Sequence, residues 1–81
     1  MHTYFAISSK LIKTGGLNEC FQWSQNLIGN KKAKLIKIAK ARPNEKQAKI
    51  VFEVSKESVT ATPNGRYVSL VLLKREEKDG S

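Results

Sequence analysis

A chain of 81 residues builds one domain with one modest core, because at this size only about 60–65% of the unfolded chain's surface goes inside; a deep catalytic cleft beside that core is not expected. Fifteen Lys and Arg against seven Asp and Glu leave a net charge of +8, which directs attention to polyanionic partners. A single cysteine excludes an internal disulfide and with it a stapled secreted scaffold, and no apolar run approaches the ~20 residues of a membrane-spanning helix, so a reduced, cytoplasmic setting is the expectation.

The N-terminus lacks the basic start and apolar run of a signal peptide, and Met1 reads as a native start of a complete chain. Thr3 to Ser8 is rich in strand formers and predicts a first strand. Ser9 to Thr14 either continues that strand or bends away from it, and Gly15-Gly16 breaks it. Leu17 to Ile28 predicts the helix. Leu17, Cys20, Phe21, Leu27 and Ile28 form one apolar stripe, with Ser24 on it and small enough to face a sheet. Asn18 and Glu19 suit its start and Gly29-Asn30 its stop. Trp23 lies off the stripe centre, as a flanking core residue in preference to an exposed stacking platform.

The stretch from Asn30 to Arg42 is open to two readings. As a helix it places Leu35, Ile38 and Ala39 together; as a strand it alternates Ile36 and Ile38 with Leu35, Lys37 and Ala39. The strand is favoured, because Gly29 has just ended a helix and Arg42-Pro43-Asn44-Glu45 looks like a turn. Gln47 to Ser55 has period two, with Ala48, Ile50, Phe52 and Val54 on one face and Gln47, Lys49, Glu53 and Ser55 on the other, Val51 being the only exception. The rival there is a helix from Asn44 to about Lys56 with Pro43 at its first position. Ser58 to Thr62 is a short strand, Pro63-Asn64-Gly65 supplies a tight turn that tolerates positive φ, and Tyr67 to Leu73 returns as a central strand. The stretch from Gln47 to Arg75 is thus expected to form the hairpin that holds the domain together. Residues 76–81 read as a disordered tail, leaving 1–75 as the single domain.

The predicted architecture is α+β, in the order β-α-β-β-β-β: a mostly antiparallel sheet with one helix on one face and a partly open, Lys-rich other face. The expected core is Phe5, Ile7, Leu17, Phe21, Leu27, Ile28, Ile36, Ile38, Ile50, Phe52, Val54, Val68, Leu70 and Leu72.

No catalytic constellation is visible. His2 is the only histidine and stands beside the start, so neither a metal site nor an activated nucleophile is expected. Cys20 falls on the apolar stripe and reads as a small core residue. The carboxylates are interleaved with Lys or gathered near the end, and no cofactor is expected; the chain does not read as an enzyme.

The charge distribution says more. Residues 1–49 carry ten Lys and Arg against Glu19 and Glu45, while residues 50–81 carry five of each sign, so the whole excess lies in the first part. The candidate binding residues are Lys10, Lys13, Lys31, Lys32, Lys34, Lys37, Lys40, Arg42 and Lys49. Lys is a point charge without the planar fork of Arg, so this set suits phosphate contact with little sequence specificity.

Two resemblances accompany that reading. Gly16-Leu17-Asn18-Glu19 followed by Leu35-Ile36-Lys37-Ile38 resembles the helix start and strand of the YhbY/CRM family of small RNA-binding domains, over about 25 residues. The N-terminal helix and the glycine-flanked loop of that family are missing here. Lys40-Ala41-Arg42 and Arg66-Tyr67-Val68-Ser69 are similar to segments of Alba-type nucleic-acid-binding proteins, a likeness that needs the helical reading of 44–56. Both imply a basic face for nucleic acid. The expectation is a small nucleic-acid-binding protein, RNA ahead of DNA. The alternatives are an interaction module docking an acidic protein partner, and a membrane-surface protein, which requires 31–42 to be a basic amphipathic helix.

Overall fold

The computed structural model describes residues 2–71. Within them the order is β1 (Thr3–Ile7), β2 (Ile12–Gly15), α1 (Leu17–Gly29), β3 (Leu35–Ala41), β4 (Gln47–Ser55), β5 (Val59–Ala61) and β6 (Tyr67–Ser69). The fold is α+β as expected, with one strand more before the helix. Ser8 closes the turn that makes it: its hydroxyl accepts from the Leu11 N–H at 2.8 Å, so the chain reverses at Ser9-Lys10 and Ile12 pairs back onto Ile7. Short side-chain loops of this kind compete with strand continuation.

The sheet is antiparallel throughout, in the order β2-β1-β3-β4-β5, with β6 also on β4. Both strand readings, at 35–41 and at 47–55, hold, and neither rival helix forms. Residues 31–42 therefore do not form the basic amphipathic helix that a membrane-surface role requires. Among the described residues, no helix is long and apolar enough to cross a membrane.

The register corrects the expected faces of β4. Ile38 pairs with Phe52, but Ala39 pairs with Ile50, so Val51 is an extra residue in β4. Such a bulge inverts the alternation beyond it. Phe52 and Val54 face the helix with Ala6, Cys20, Leu27, Ile36 and Ile38. Ala48 and Ile50 face the opposite side, with Phe5, Ile12, Ala39 and Ala41. The face away from the helix, expected to be partly open and Lys-rich, thus carries a buried cluster of its own. Ile7, Val68 and Leu70 pack partly buried against it. Leu17, Phe21, Ile28, Trp23 and Phe52 flank the helix-side cluster, with Phe21 and Phe52 edge to face at 5.5 Å.

The Pro63-Asn64-Gly65 turn is the largest departure. It reverses nothing: β5 and β6 run in the same direction along one edge of β4, as two pieces of one interrupted strand. Residues 62–66 stand opposite only Ile50 and Val51 and loop out between them. The loop is tied down on both sides, by Thr62 N–H to Val51 O at 3.0 Å and Ile50 N–H to Arg66 O at 2.9 Å. Thr62 Oγ1 also donates to Ile50 O at 3.0 Å. Gly65 has no positive φ. It is needed because a Cβ there would overlap the Ile50 carbonyl. The reversal out of β4 comes earlier, at Lys56-Glu57, closed by Ser55 N–H to Ser58 O at 2.9 Å. The strand expected over 67–73 ends at Ser69, and Leu70 and Val71 are helical. The expected tail at 76–81, and Leu72 of the expected core, lie outside the described residues.

The helix behaves as its stripe predicts. Cys20, Ser24 and Leu27 are buried, and the Ser24 hydroxyl donates to Cys20 O at 2.7 Å, so the buried hydroxyl is satisfied within its own helix. Glu19 Oε1 accepts from the Gly16 N–H at 2.9 Å, half of a capping box.

Candidate nucleic-acid interface

The basic residues fall into three groups. The first gathers at the end of the molecule where α1 stops. Gly29 is the last helical residue, Asn30 caps it, and the left-handed residue that follows is Lys31, at φ 61°. Two hydrogen bonds close the motif, Lys31 N–H to Ile28 O at 3.0 Å and Lys32 N–H to Leu27 O at 2.9 Å. Glycine is the usual occupant of that position, and a side chain there costs ~1–2 kcal/mol. The result is that Lys31 and Lys32 leave the chain at the negative end of the helix dipole, where cations are favoured.

Lys34 stands just before β3, and Lys56 reaches the same end from the loop after β4. Lys31, Lys34 and Lys56 line one open groove of about 390 Å³ with Ile28, Ala33 and Glu57. An adjoining groove is lined by Ser9, Lys31, Lys32, Ala33, Lys34 and Leu35, and Lys10 follows Ser9 in the same turn. Sequence reasoning missed Lys56, because it belongs to the charge-neutral part of the chain. Its only sequence signal is its place in a turn, and that turn's partner loop is far away in the chain.

The second group lies on the sheet. Cross-strand partners share a face, and Tyr4 pairs with Lys40, Lys40 with Lys49, and Lys49 with Tyr67. One continuous row, Tyr4-Lys40-Lys49-Tyr67, therefore crosses β1, β3, β4 and β6. It is on the helix side, since Tyr4 packs against the helix-side cluster while Val68, next to Tyr67, faces the other way. Tyr67 is 62% exposed and Lys40 and Lys49 are half-buried. Neither tyrosine was among the expected site residues. His2 sits beside this row, its ring 6.4 Å from that of Tyr4. Desolvation, then the positive charges of Lys40 and Arg42, hold the His2 pKa below its ordinary value. Arg42 follows β3, exposed, its backbone N–H donating to Glu45 Oε1 at 2.7 Å.

The remaining two of the nine expected residues are apart from both groups. Lys37 is on the face away from the helix, directly opposite Glu53 and next to Ile7. Lys13 is on β2, paired with Ala6 and so on the helix side at the far edge. The nine expected residues thus do not form a single patch: four stand at the helix C-terminal end, three at or beside the row, and two elsewhere.

Among the described residues, no three His, Cys, Asp or Glu side chains come together as metal ligands would. Cys20 is fully buried; desolvation and the negative charge of Glu19 push its thiol up to about 11, and its Sγ contacts Lys13 O at 3.7 Å. No family model, no curated protein and no solved structure matches the chain.

Proposed function

We propose that the chain is a small nucleic-acid-binding protein that holds the phosphate backbone with lysines and reads little sequence. The observation that carries this is the convergence of Lys31, Lys32, Lys34 and Lys56 from two separate loops onto one end of the fold. A left-handed lysine where glycine would be free of strain is a local cost, and such costs concentrate where a side chain has work outside the fold. The preference for RNA over DNA rests on the likeness of residues 16–38 to the YhbY/CRM domains.

The test is a pair of triple reversals. Lys31→Glu, Lys32→Glu and Lys34→Glu together should weaken binding to RNA at least about tenfold, as read by fluorescence anisotropy with a labelled oligonucleotide. Reversing Lys74, Arg75 and Lys78 alters the net charge equally and should do much less. With about four phosphates neutralised, log K should fall with log salt at a slope of roughly −3 to −4, and the first triple should flatten it. Equal losses from both triples, or binding indifferent to salt, would leave an acidic protein partner as the better reading.

A further inference from the structure

We infer that the row Tyr4-Lys40-Lys49-Tyr67 is a stacking platform for single-stranded nucleic acid, with Tyr67 carrying a base and Lys40 and Lys49 the phosphates beside it. The inference rests on the nucleic-acid reading above and adds to it a second surface and a strandedness.

Three features of the row point the same way. The first is the exposed ring. Tyr67 is 62% exposed at the outer edge of the sheet, and an aromatic ring costs least when it is covered, so its open face is available to a planar partner. The second is the lysine pair. Like charges directly opposite on neighbouring strands destabilise a sheet, yet the bulge at Val51 sets Lys40 against Lys49. An anion between them removes that repulsion. The third is the geometry. The four residues occupy four consecutive strands, and strands lie ~4.8 Å apart, so Tyr4 and Tyr67 are about 14 Å apart with two cations between them. A nucleic-acid strand laid across the row crosses that distance in a few nucleotides, with phosphates over the two central lysines and a base at the outer ring.

A duplex does not satisfy this arrangement. Its bases are stacked on each other and have no free face for Tyr67, whereas an unpaired strand offers one at every nucleotide. Base-on-ring stacking is also tolerant of sequence, in keeping with a lysine-rich surface that has no planar guanidinium in the row.

The experiment compares Tyr67→Ala and Tyr67→Phe with the unaltered protein. The probes are a labelled single-stranded RNA 12-mer, the DNA 12-mer of the same sequence, and the RNA duplex. Tyr67→Ala should weaken binding of the single strands roughly 5- to 100-fold and leave the duplex unchanged. Tyr67→Phe, which keeps the ring, should restore the single-strand affinity. A 2-aminopurine placed in the strand should be quenched by the unaltered protein and by the Phe variant and not by the Ala variant. The relative loss on RNA and DNA shows whether the 2′-hydroxyl contributes. Tyr67→Ala without effect on single strands, or with the same loss on the duplex, overturns the platform while leaving the lysine cluster as a backbone-binding surface. An unaltered protein that binds none of the three probes removes both readings together. Thermal melts of each variant ensure that the comparison is made on folded protein.

Discussion

On either side of one bulge the β3–β4 ladder treats its lysines in opposite ways. Before the bulge, Lys37 stands opposite Glu53, a pairing of unlike charges that helps hold two strands together. After it, Lys40 stands opposite Lys49, a pairing that pushes them apart. The two pairs are three residues apart in β3 and lie on opposite faces of the sheet. One inserted residue, Val51, decides which lysine meets an acid and which meets its own kind. Lys37 faces a carboxylate across the strands, whereas Lys40 and Lys49 face each other and leave a place for an anion.

The comparison breaks first at the bulge's far support. Gly65 lies against the Ile50 carbonyl, and Gly65→Ala puts a Cβ into that oxygen. Because the obstacle is backbone, β4 or the 62–66 loop must move, and we expect a loss of about 2–4 kcal/mol in urea denaturation. A loss below about 0.5 kcal/mol would mean that the loop yields freely and does not fix the register of β6.

A gentler change sharpens the contrast. Lys49→Glu converts the second pair into a copy of the first. It should raise stability by about 0.2–1 kcal/mol and lower the affinity for single-stranded RNA several-fold. Opposite signs in the two measurements are the informative result; a variant that gains neither stability nor loses affinity would show that Lys40 and Lys49 already lean apart into solvent.

The effect that vanishes near pH 7 concerns Cys20, on the buried face of the helix. With the thiol raised to about 11, the folded state holds its proton more tightly than the unfolded chain. Its contribution is complete below the unfolded thiol's pKa of ~8.5 and is lost as pH climbs through about 11. Stability should be flat in this respect near pH 7 and fall between pH 9 and 11, and Cys20→Ser should shallow that fall. Alkylation in the native state should be slow.

Where local pattern dictates structure, the sequence was a good guide. The stripe of α1, the small Ser24 on it, and the strand at 47–55 follow from periodicity, and the strand at 35–41 from the helix stop at Gly29 and the turn at 42–45. What it misread depends on contacts distant in the chain. Period two put Ala48, Ile50, Phe52 and Val54 together, with Val51 as the one apolar exception on the polar face. That exception does not by itself announce an extra residue, since the bulge exists only relative to β3. Pro63-Asn64-Gly65 has the composition of a hairpin turn, but Thr62 and Arg66 bind β4 on both sides and keep the chain running forward. The candidate site was legible as a charge bias and not as a place. Lys40, Lys49 and Tyr67 belong to three strands, and Lys56 was counted with the neutral part of the chain.

The interruption between β5 and β6 also bears on how these molecules meet one another in concentrated solution. A sheet's outermost strand is a template for a neighbour's, and long regular edges invite fibrils. Here one border is β2, four residues long, and the other is two three-residue pieces parted by a protruding loop. Among the described residues, neither border has a strand longer than four residues with which to register a second sheet. The loop that defeats a simple hairpin reading is thereby a guard on the border of the sheet, and closing it into one continuous strand would give this protein an edge to polymerise along.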